Sequence, residues 1–454
     1  MNTQTMLRRI VLLIAVLTTL RSSALFASDV PAQFPLKTGD RVQWIGSSST
    51  RIGTWCRTME FMLRTRHPDL NLTFARSTTG GGTFLTGIKN LPVWLSDFKP
   101  TVVLFNYGGN DAAPGVKGIP QFKLNMQKNI DIAKDTGARV LLMTHQSGDV
   151  RAASQVPFDN RKLYAETMLA FAQENGWTMY DTHHPLEALQ LDCQRDTRDF
   201  TLNKDRIHLT DSAYVAWGFY LYDCMNPPVV ESSAELNVSG RVLRETHCKI
   251  SSVSAPSSGI LEFTRADTVL PLLPPDPIPT GNSLKVAPST STGTIKQDAP
   301  LDKSKPRSIM QLADGRNADA FFGSLSYATL VPAPLTITVK STAATGPKMP
   351  LALANYALKF GAQLPSRKFV PLEKYSRYML KIEGLNAGEY DVSCDGKPIG
   401  RATDKELAAG VNLNTLLLDS KNPAPWGELV KALWLGKRLD EIGKTQWKFR
   451  VEKK

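Results

Sequence analysis

The stretch Arg41-Val42-Gln43-Trp44-Ile45-Gly46-Ser47-Ser48-Ser49-Thr50 sets the reading of the chain. Val42, Trp44 and Ile45 read as a short buried strand, which Gly46 breaks before a run of hydroxyl residues. Trp55, Met59, Phe61 and Met62 then recur at the spacing of one helical face. A strand that passes through glycine and serine into a helix holds a side chain out in the open. The helix start adds unpaired N–H groups and a positive field. That arrangement suits a nucleophile, and Ser48 is the candidate.

Outward from this point the pattern alternates as far as Cys224. Strand-like runs lie at 42–45, 70–75, 101–107, 139–144 and 177–181. Helix-like stretches lie at 50–66, 82–98, 121–136, 162–175 and 209–223. Strands alternating with helices predict a parallel sheet covered on both faces, with the ligand at the carboxyl ends of the strands. Ser48 falls at such an end. Beyond Cys224 the texture changes. Strands are expected at 236–243 and 259–263, the Pro-rich run 271–279 excludes a regular element, and 281–305 reads as a mobile linker. Residues 335–339 alternate like a strand. Tyr378–Ile382 and Tyr390–Cys394 flank a glycine-bearing turn and predict a hairpin. Asp404 is a candidate cap for a helix through 406–409 that ends at Gly410, and 426–442 reads as an amphipathic helix.

At 454 residues, two or three domains are expected. The net charge is +12, but Lys and Arg are scattered and form no basic stripe interleaved with aromatics, so nucleic acid is not an expected partner. Arg8 and Arg9 precede the apolar run Ile10–Leu20, and small residues lead to Ala24 and Ala27. That is the layout of an export signal over 1–27, leaving no integral membrane segment after cleavage. The product is expected outside the cytoplasm, secreted or periplasmic. In an oxidising compartment the five cysteines favour bridges, with Cys193–Cys224 or Cys224–Cys248 as the options.

A serine nucleophile needs a base, a group that orients the base, and donors for an oxyanion. Asp205-Arg206-Ile207-His208 places a carboxylate three residues before an imidazole, so Asp205 can hold Nδ1–H while Nε2 faces outward. Taken alone, that spacing is as well explained by a helix cap. Gly108-Gly109-Asn110-Asp111 after the third strand offers an amide donor, and Gly80-Gly81-Gly82 after the second offers a backbone N–H. Each is also an ordinary turn. Four such features at successive ends of one sheet point to a common site. His145, His183 and His184 are read as surface or supporting residues, and Asp181 as a strand-end cap.

These blocks resemble the SGNH hydrolases, the GDSL-type esterases and lipases. Gly108-Gly109-Asn110-Asp111 and Asp205-Arg206-Ile207-His208 match blocks three and five, while Gly46-Ser47-Ser48 and Thr79-Gly80-Gly81 are looser matches to blocks one and two. Ser47 replaces the usual Asp, and the hydroxyl run leaves Ser47 and Ser49 as alternative registers. The resemblance implies a flavodoxin-like three-layer α/β/α sandwich with a parallel sheet at 28–228. A β-rich region follows at 229–375, then a hairpin and helix at 376–454. It also implies Ser48, His208 and Asp205 as catalytic residues, and Ser48, Gly80 and Asn110 as the oxyanion hole. No metal or organic cofactor is implied. The expected activity is that of an exported serine ester hydrolase removing small acyl (acetyl) groups from carbohydrate by a Ser-His-Asp acyl-enzyme mechanism, with a small-molecule ester or an acylated polysaccharide as substrate. The altered block one leaves a non-catalytic glycan-binding or envelope protein as the alternative.

Overall fold

The computed structural model describes residues 34–149, 159–197, 200–205, 207–257, 259–275, 309–311, 317–319 and 372–454. The expected signal at 1–27, the linker at 281–305 and the strand at 335–339 lie outside the described residues.

The first half alternates strand and helix. β1 (Arg41–Gly46) leads into α1 (Ser48–Ile52) and α2 (Thr54–Arg66), then β2 (Thr73–Thr78), α3 (Phe84–Phe98) and β3 (Val102–Asn106). α4 (Ile119–Asp135), β4 (Arg139–Met143), α5 (Asp159–Glu174), β5 (Met179–Tyr180), α6 (His183–Asp196) and α7 (Asp211–Cys224) complete it. All five strands run parallel, in the order β2-β1-β3-β4-β5. This is the flavodoxin-like arrangement, with helices on both faces of the sheet.

Period-two alternation divides the core between the faces. Val42, Trp44, Val102 and Leu104 pack with α2 and α7 residues such as Trp55, Met59 and Trp217. Ile45, Val103 and Phe105 pack with Phe84, Leu91, Met126 and Ile130 on the other side. The helix expected over 50–66 is two, because Gly53 at φ 79° caps the first with left-handed backbone. α6 was not expected; its Pro185 stands in the first turn, where a missing N–H costs nothing.

The second half is β-rich. β6 (Glu231–Asn237), β7 (Val242–Thr246), β8 (Cys248–Ser257) and β9 (Ile260–Asp267) come first, then short β10 (Ile309–Gln311) and β11 (Asn317–Asp319). α8 (Leu372–Tyr375), β12 (Arg377–Glu383), β13 (Glu389–Cys394), β14 (Lys397–Thr403), α9 (Asp404–Ala409) and β15 (Val411–Asn412) follow. α10 (Leu413–Ser420), α11 (Gly427–Trp434) and β16 (Thr445–Lys453) end the chain. The strands form two main sheets, β15-β12-β6-β7 and β14-β13-β16-β9-β8.

The expected hairpin does not form. β12 pairs with β6 and β15, whereas β13 pairs with β14 and β16, so Gly384–Gly388 carries the chain from one sheet to the other. The hairpin that does form joins β13 and β14 across Asp395-Gly396, at φ 49° and 72°, a turn whose positive φ angles suit these residues. Glu406 and Thr403 form a capping box at α9, so Thr403 rather than Asp404 is the cap. α11 is shorter than the expected helix, and the chain ends on a strand because Trp447, Phe449 and Val451 alternate.

Buried Arg265 cross-links the two sheets. It pairs with Asp267 at 2.9 Å and donates to the Met379 carbonyl and Ser232 Oγ, each at 2.8 Å. The β-rich half also packs on α2 and α7. Arg66 donates to the Tyr375 and Leu272 carbonyls, both at 2.7 Å, and Phe61 meets Trp434. One apolar core runs through both halves. The expected disulfides are absent, since all five cysteines are unbridged. The Cys224 thiol donates to the Asp181 carbonyl and the Cys248 thiol to the Ser233 carbonyl. Among the described residues, no helix is long and apolar enough to cross a membrane.

Candidate active site

Gly46 ends β1 under a tight constraint. A Cβ there would fall 2.2 Å from Thr50 Oγ1 and 2.7 Å from the Asn106 carbonyl, so only glycine fits beneath the turn. Ser47 is the N-cap of α1 and Ser48 its first residue. Ser49 points inward, with its hydroxyl donating to Gln146 Oε1 at 2.5 Å and accepting from the Tyr214 hydroxyl at 3.3 Å. Of the three serines, Ser48 is the one whose Oγ meets the imidazole of His208, 3.0 Å from Nε2.

The Asp205–His208 loop is built locally. Asp205 Oδ1 accepts the Ile207 and His208 backbone N–H groups, each at 2.7 Å, and Oδ2 lies 3.0 Å from His208 Nδ1. A carboxylate only accepts, so in the neutral ring Nδ1 carries the hydrogen and Nε2 accepts from Ser48. Burial works to raise the Asp205 carboxyl, but the His208 side chain and the two N–H donors outweigh it and hold it near 2. The charge needed to orient an imidazole is thus fixed. Gln146 Nε2 donates to the Ile207 carbonyl at 3.1 Å, so one amide ties the serine helix to the Asp–His loop.

The other two candidates hold neighbouring loops. Gly80 is buried just beyond β2. Asn110 Nδ2 donates to the Gly82 carbonyl at 2.9 Å, joining the loops that follow β3 and β2. Asp111 accepts from the Phe84 and Gly108 N–H groups, while burial pushes its carboxyl up to about 6. Gly108 at φ 108° leaves room for His145 and Met168, which a Cβ would meet within 2.9 Å.

Sequence reasoning missed Gln146, Ser49, Tyr214 and Asp111 as supports. The position of Gln146 just past β4 was the available signal, since polar residues at parallel strand ends face the site. His183 and His145 are buried rather than on the surface; His183 Nδ1 lies 3.2 Å from the His145 carbonyl, and burial pulls both rings below their ordinary values. Asp181, just past β5, accepts from the His183 and His184 N–H groups at the start of α6, whose N-cap is Thr182, and its other oxygen lies 2.7 Å from His184 Nδ1.

The GDSL-like Lipase/Acylhydrolase family matches residues 44–216, the span that holds all these groups. Among solved structures, a gut microbial diltiazem-metabolizing enzyme superposes with TM-score 0.58 at 16% identity, over 93% of this chain and 100% of that one. The similarity therefore extends across the β-rich half and shows a shared fold. An acetylxylan esterase from Geobacillus stearothermophilus matches at 15% identity and TM-score 0.36, over 42% of this chain and 97% of that one. The acetyl xylan esterase AlAXEase matches at 19% identity and TM-score 0.36, over 40% and 98%. No curated protein sequence matches the chain. The segment 44–216 thus matches the GDSL-like lipases and acylhydrolases, a family of serine ester hydrolases, and supports an esterase domain of the SGNH type there.

Proposed function

We propose that the protein is an exported esterase that removes small acyl groups, acetyl above all, from carbohydrate by a Ser-His-Asp acyl-enzyme route. The carrying observation is the chain of contacts from Ser48 Oγ through the His208 ring to Asp205, each 3.0 Å long. Ser48 Oγ attacks the acyl carbonyl carbon as its proton passes to His208 Nε2. The resulting imidazolium sits against an ionised carboxylate, which stabilises it. The oxyanion would take the Ser48 and Gly80 backbone N–H groups and the second amide hydrogen of Asn110. As the tetrahedral intermediate collapses, His208 returns the proton to the departing alcohol oxygen, and water then repeats the sequence on the acyl-serine.

A cavity with Arg51, Glu60, Arg76 and Thr78 in its lining opens against α1, the helix that carries Ser48, and its polar walls suit a hydroxyl-rich alcohol. Export rests on the charged and apolar pattern of residues 8–27, which fits a cleaved leader. The first 228 residues would then comprise leader and hydrolase domain.

A panel of short and long acyl esters and acetylated polysaccharides tests the assignment. Wild type should release acetate, and Ser48→Ala and His208→Ala should each lose about 10³-fold or more in kcat. Retention of the wild-type rate by His208→Ala would end the proposal, as would inertness of wild type toward every ester. Mass spectrometry of the exported chain reads the cleavage site.

A further inference from the structure

Ser48 Oγ and His208 Nε2 must meet, yet each is carried by a short or irregular segment. α1 has five residues, and Ser47 makes no side-chain bond to its first turn. A helix that short does not fix its own direction. His208 lies between α6 and α7, in a stretch pinned by backbone bonds such as Lys204 N–H to the His208 carbonyl at 2.9 Å. Side chains hold α1 to the sheet instead. Thr50 Oγ1 donates to Asn106 Oδ1, at the end of β3, at 3.2 Å. Ser49 Oγ reaches Gln146, just past β4. The three hydroxyls in a row thus have three separate duties.

Gln146 is buried, and its backbone is well anchored. The preceding Thr144 donates its N–H to the Tyr180 carbonyl at 3.0 Å, and its Oγ1 accepts the Thr182 and His183 N–H groups at 2.8 and 2.9 Å. The His145 ring packs edge-on against that of His183, 5.3 Å away. From this base the amide has one workable orientation. The Ile207 carbonyl only accepts, so Nε2 must face it, which leaves Oε1 for the Ser49 hydroxyl. Ser49 must then donate, and its oxygen accepts from the Tyr214 hydroxyl at 3.3 Å. A directed chain runs from Tyr214 through Ser49 and Gln146 to the Ile207 carbonyl, beside the catalytic imidazole.

We propose that Gln146 is the positioning residue that sets the gap between Ser48 and His208, by gripping the nucleophile helix with its carbonyl and the histidine loop with its amide N–H. The inference rests on the Ser-His-Asp reading and adds to it a residue that touches neither the substrate nor the reacting atoms. Displacing a reacting group by 1 Å costs on the order of 10²-fold in rate. Neither bond of Gln146 holds substrate, so its loss acts on kcat and spares KM.

The test is hydrolysis of p-nitrophenyl acetate by the full chain. Gln146→Met keeps the length of the side chain but removes donor and acceptor, and should lower kcat about 10²-fold with KM changed by less than about twofold. Gln146→Glu keeps the shape and, when ionised, sets an acceptor against the Ile207 carbonyl; protonation restores a donor there. The charged and titratable groups around this network are Asp205 and His208 on the loop, Tyr214 on α7 and Arg161 on α5. His208 titrates in wild type as well, so each variant is compared with wild type at the same pH. The deficit of Gln146→Glu should shrink about fivefold or more from pH 9 to 6, while that of Gln146→Met stays flat. If Gln146→Met does not fold, the pH dependence of Gln146→Glu decides. A kcat within about threefold of wild type for Gln146→Met, a loss expressed in KM, or a Gln146→Glu deficit that ignores pH overturns the proposal. His208→Ala separates this outcome from the mechanism beneath it. If that variant is inactive while Gln146→Met is not, the positioning role alone fails. If it keeps the wild-type rate, the Ser-His-Asp reading fails and takes the positioning role with it.

Discussion

Two aspartates in this protein hold a histidine in the same way. Asp181 and Asp205 each accept two backbone N–H groups with one oxygen and approach an imidazole Nδ1, three residues on, with the other. Local sequence therefore builds the pair twice, and what distinguishes them is the hydroxyl across from His208. Among the described residues, His184 Nε2 has no such hydroxyl. The hydroxyl run is resolved by the same logic. Ser49 is committed to Gln146 and Tyr214, so Ser49→Ala should keep the nucleophile and lose only about tenfold in kcat, against the far larger loss of Ser48→Ala. Comparable losses in the two variants would shift the nucleophile to the buried position.

Asp205 also makes a prediction about acid. Its carboxyl titrates at 3.8 when unperturbed and near 2 in the fold. A depressed acid stabilises the fold above its unfolded value and loses that contribution as pH falls through the folded one. Asp205→Asn should therefore cost about 1 kcal/mol near neutral pH in urea unfolding, once solvent screening is allowed for, and the two curves should converge as pH falls from about 4 toward 2. A constant gap across that range would show that the carboxylate's charge is not what stabilises the loop.

At the scale of elements, the strand-to-helix turn at Gly46 is the most constrained feature of the site. Gly46→Ala would press a methyl group on Thr50 and the Asn106 carbonyl, and the backbone of β1 and β3 would have to part. We expect a loss of about 1–3 kcal/mol in stability together with a large loss of kcat, read by thermal unfolding and ester hydrolysis. The parallel sheet and the strand-end site were legible because alternation and strand-end glycines are local signals. Non-local choices were not. Tyr378–Ile382 and Tyr390–Cys394 look like partners in the sequence, yet their alternating apolar faces belong to different sheets of one sandwich. Gln146 and Ile207 meet only because β4 and the Asp–His loop end at the same edge. Cysteine number suggested bridges, but each thiol is packed where its neighbours, not another sulfur, receive it.

For the molecule as a whole, the two halves share a core, and buried Arg66 is the polar link within it. Its guanidinium satisfies carbonyls of two segments, before α8 and within it, that belong to the β-rich half. Arg66→Met should remove about 3 kcal/mol by leaving these buried carbonyls unpaired. Calorimetry of wild type should give one transition rather than two, since residues of α2 and α7 share one buried core with the β-rich half. Two separated transitions would mean that the halves melt independently.

The parallel pairing of β6 with β12 bears on how the polypeptide is made. β6 leaves the ribosome long before β12 exists, and until then one of its edges has no neighbour. A product cut short before residue 377 would keep that edge open and carry the uncovered Phe61 surface that Trp434 otherwise closes. A chain that stops before β12 presents that edge of β6 to chaperones, proteases and other copies.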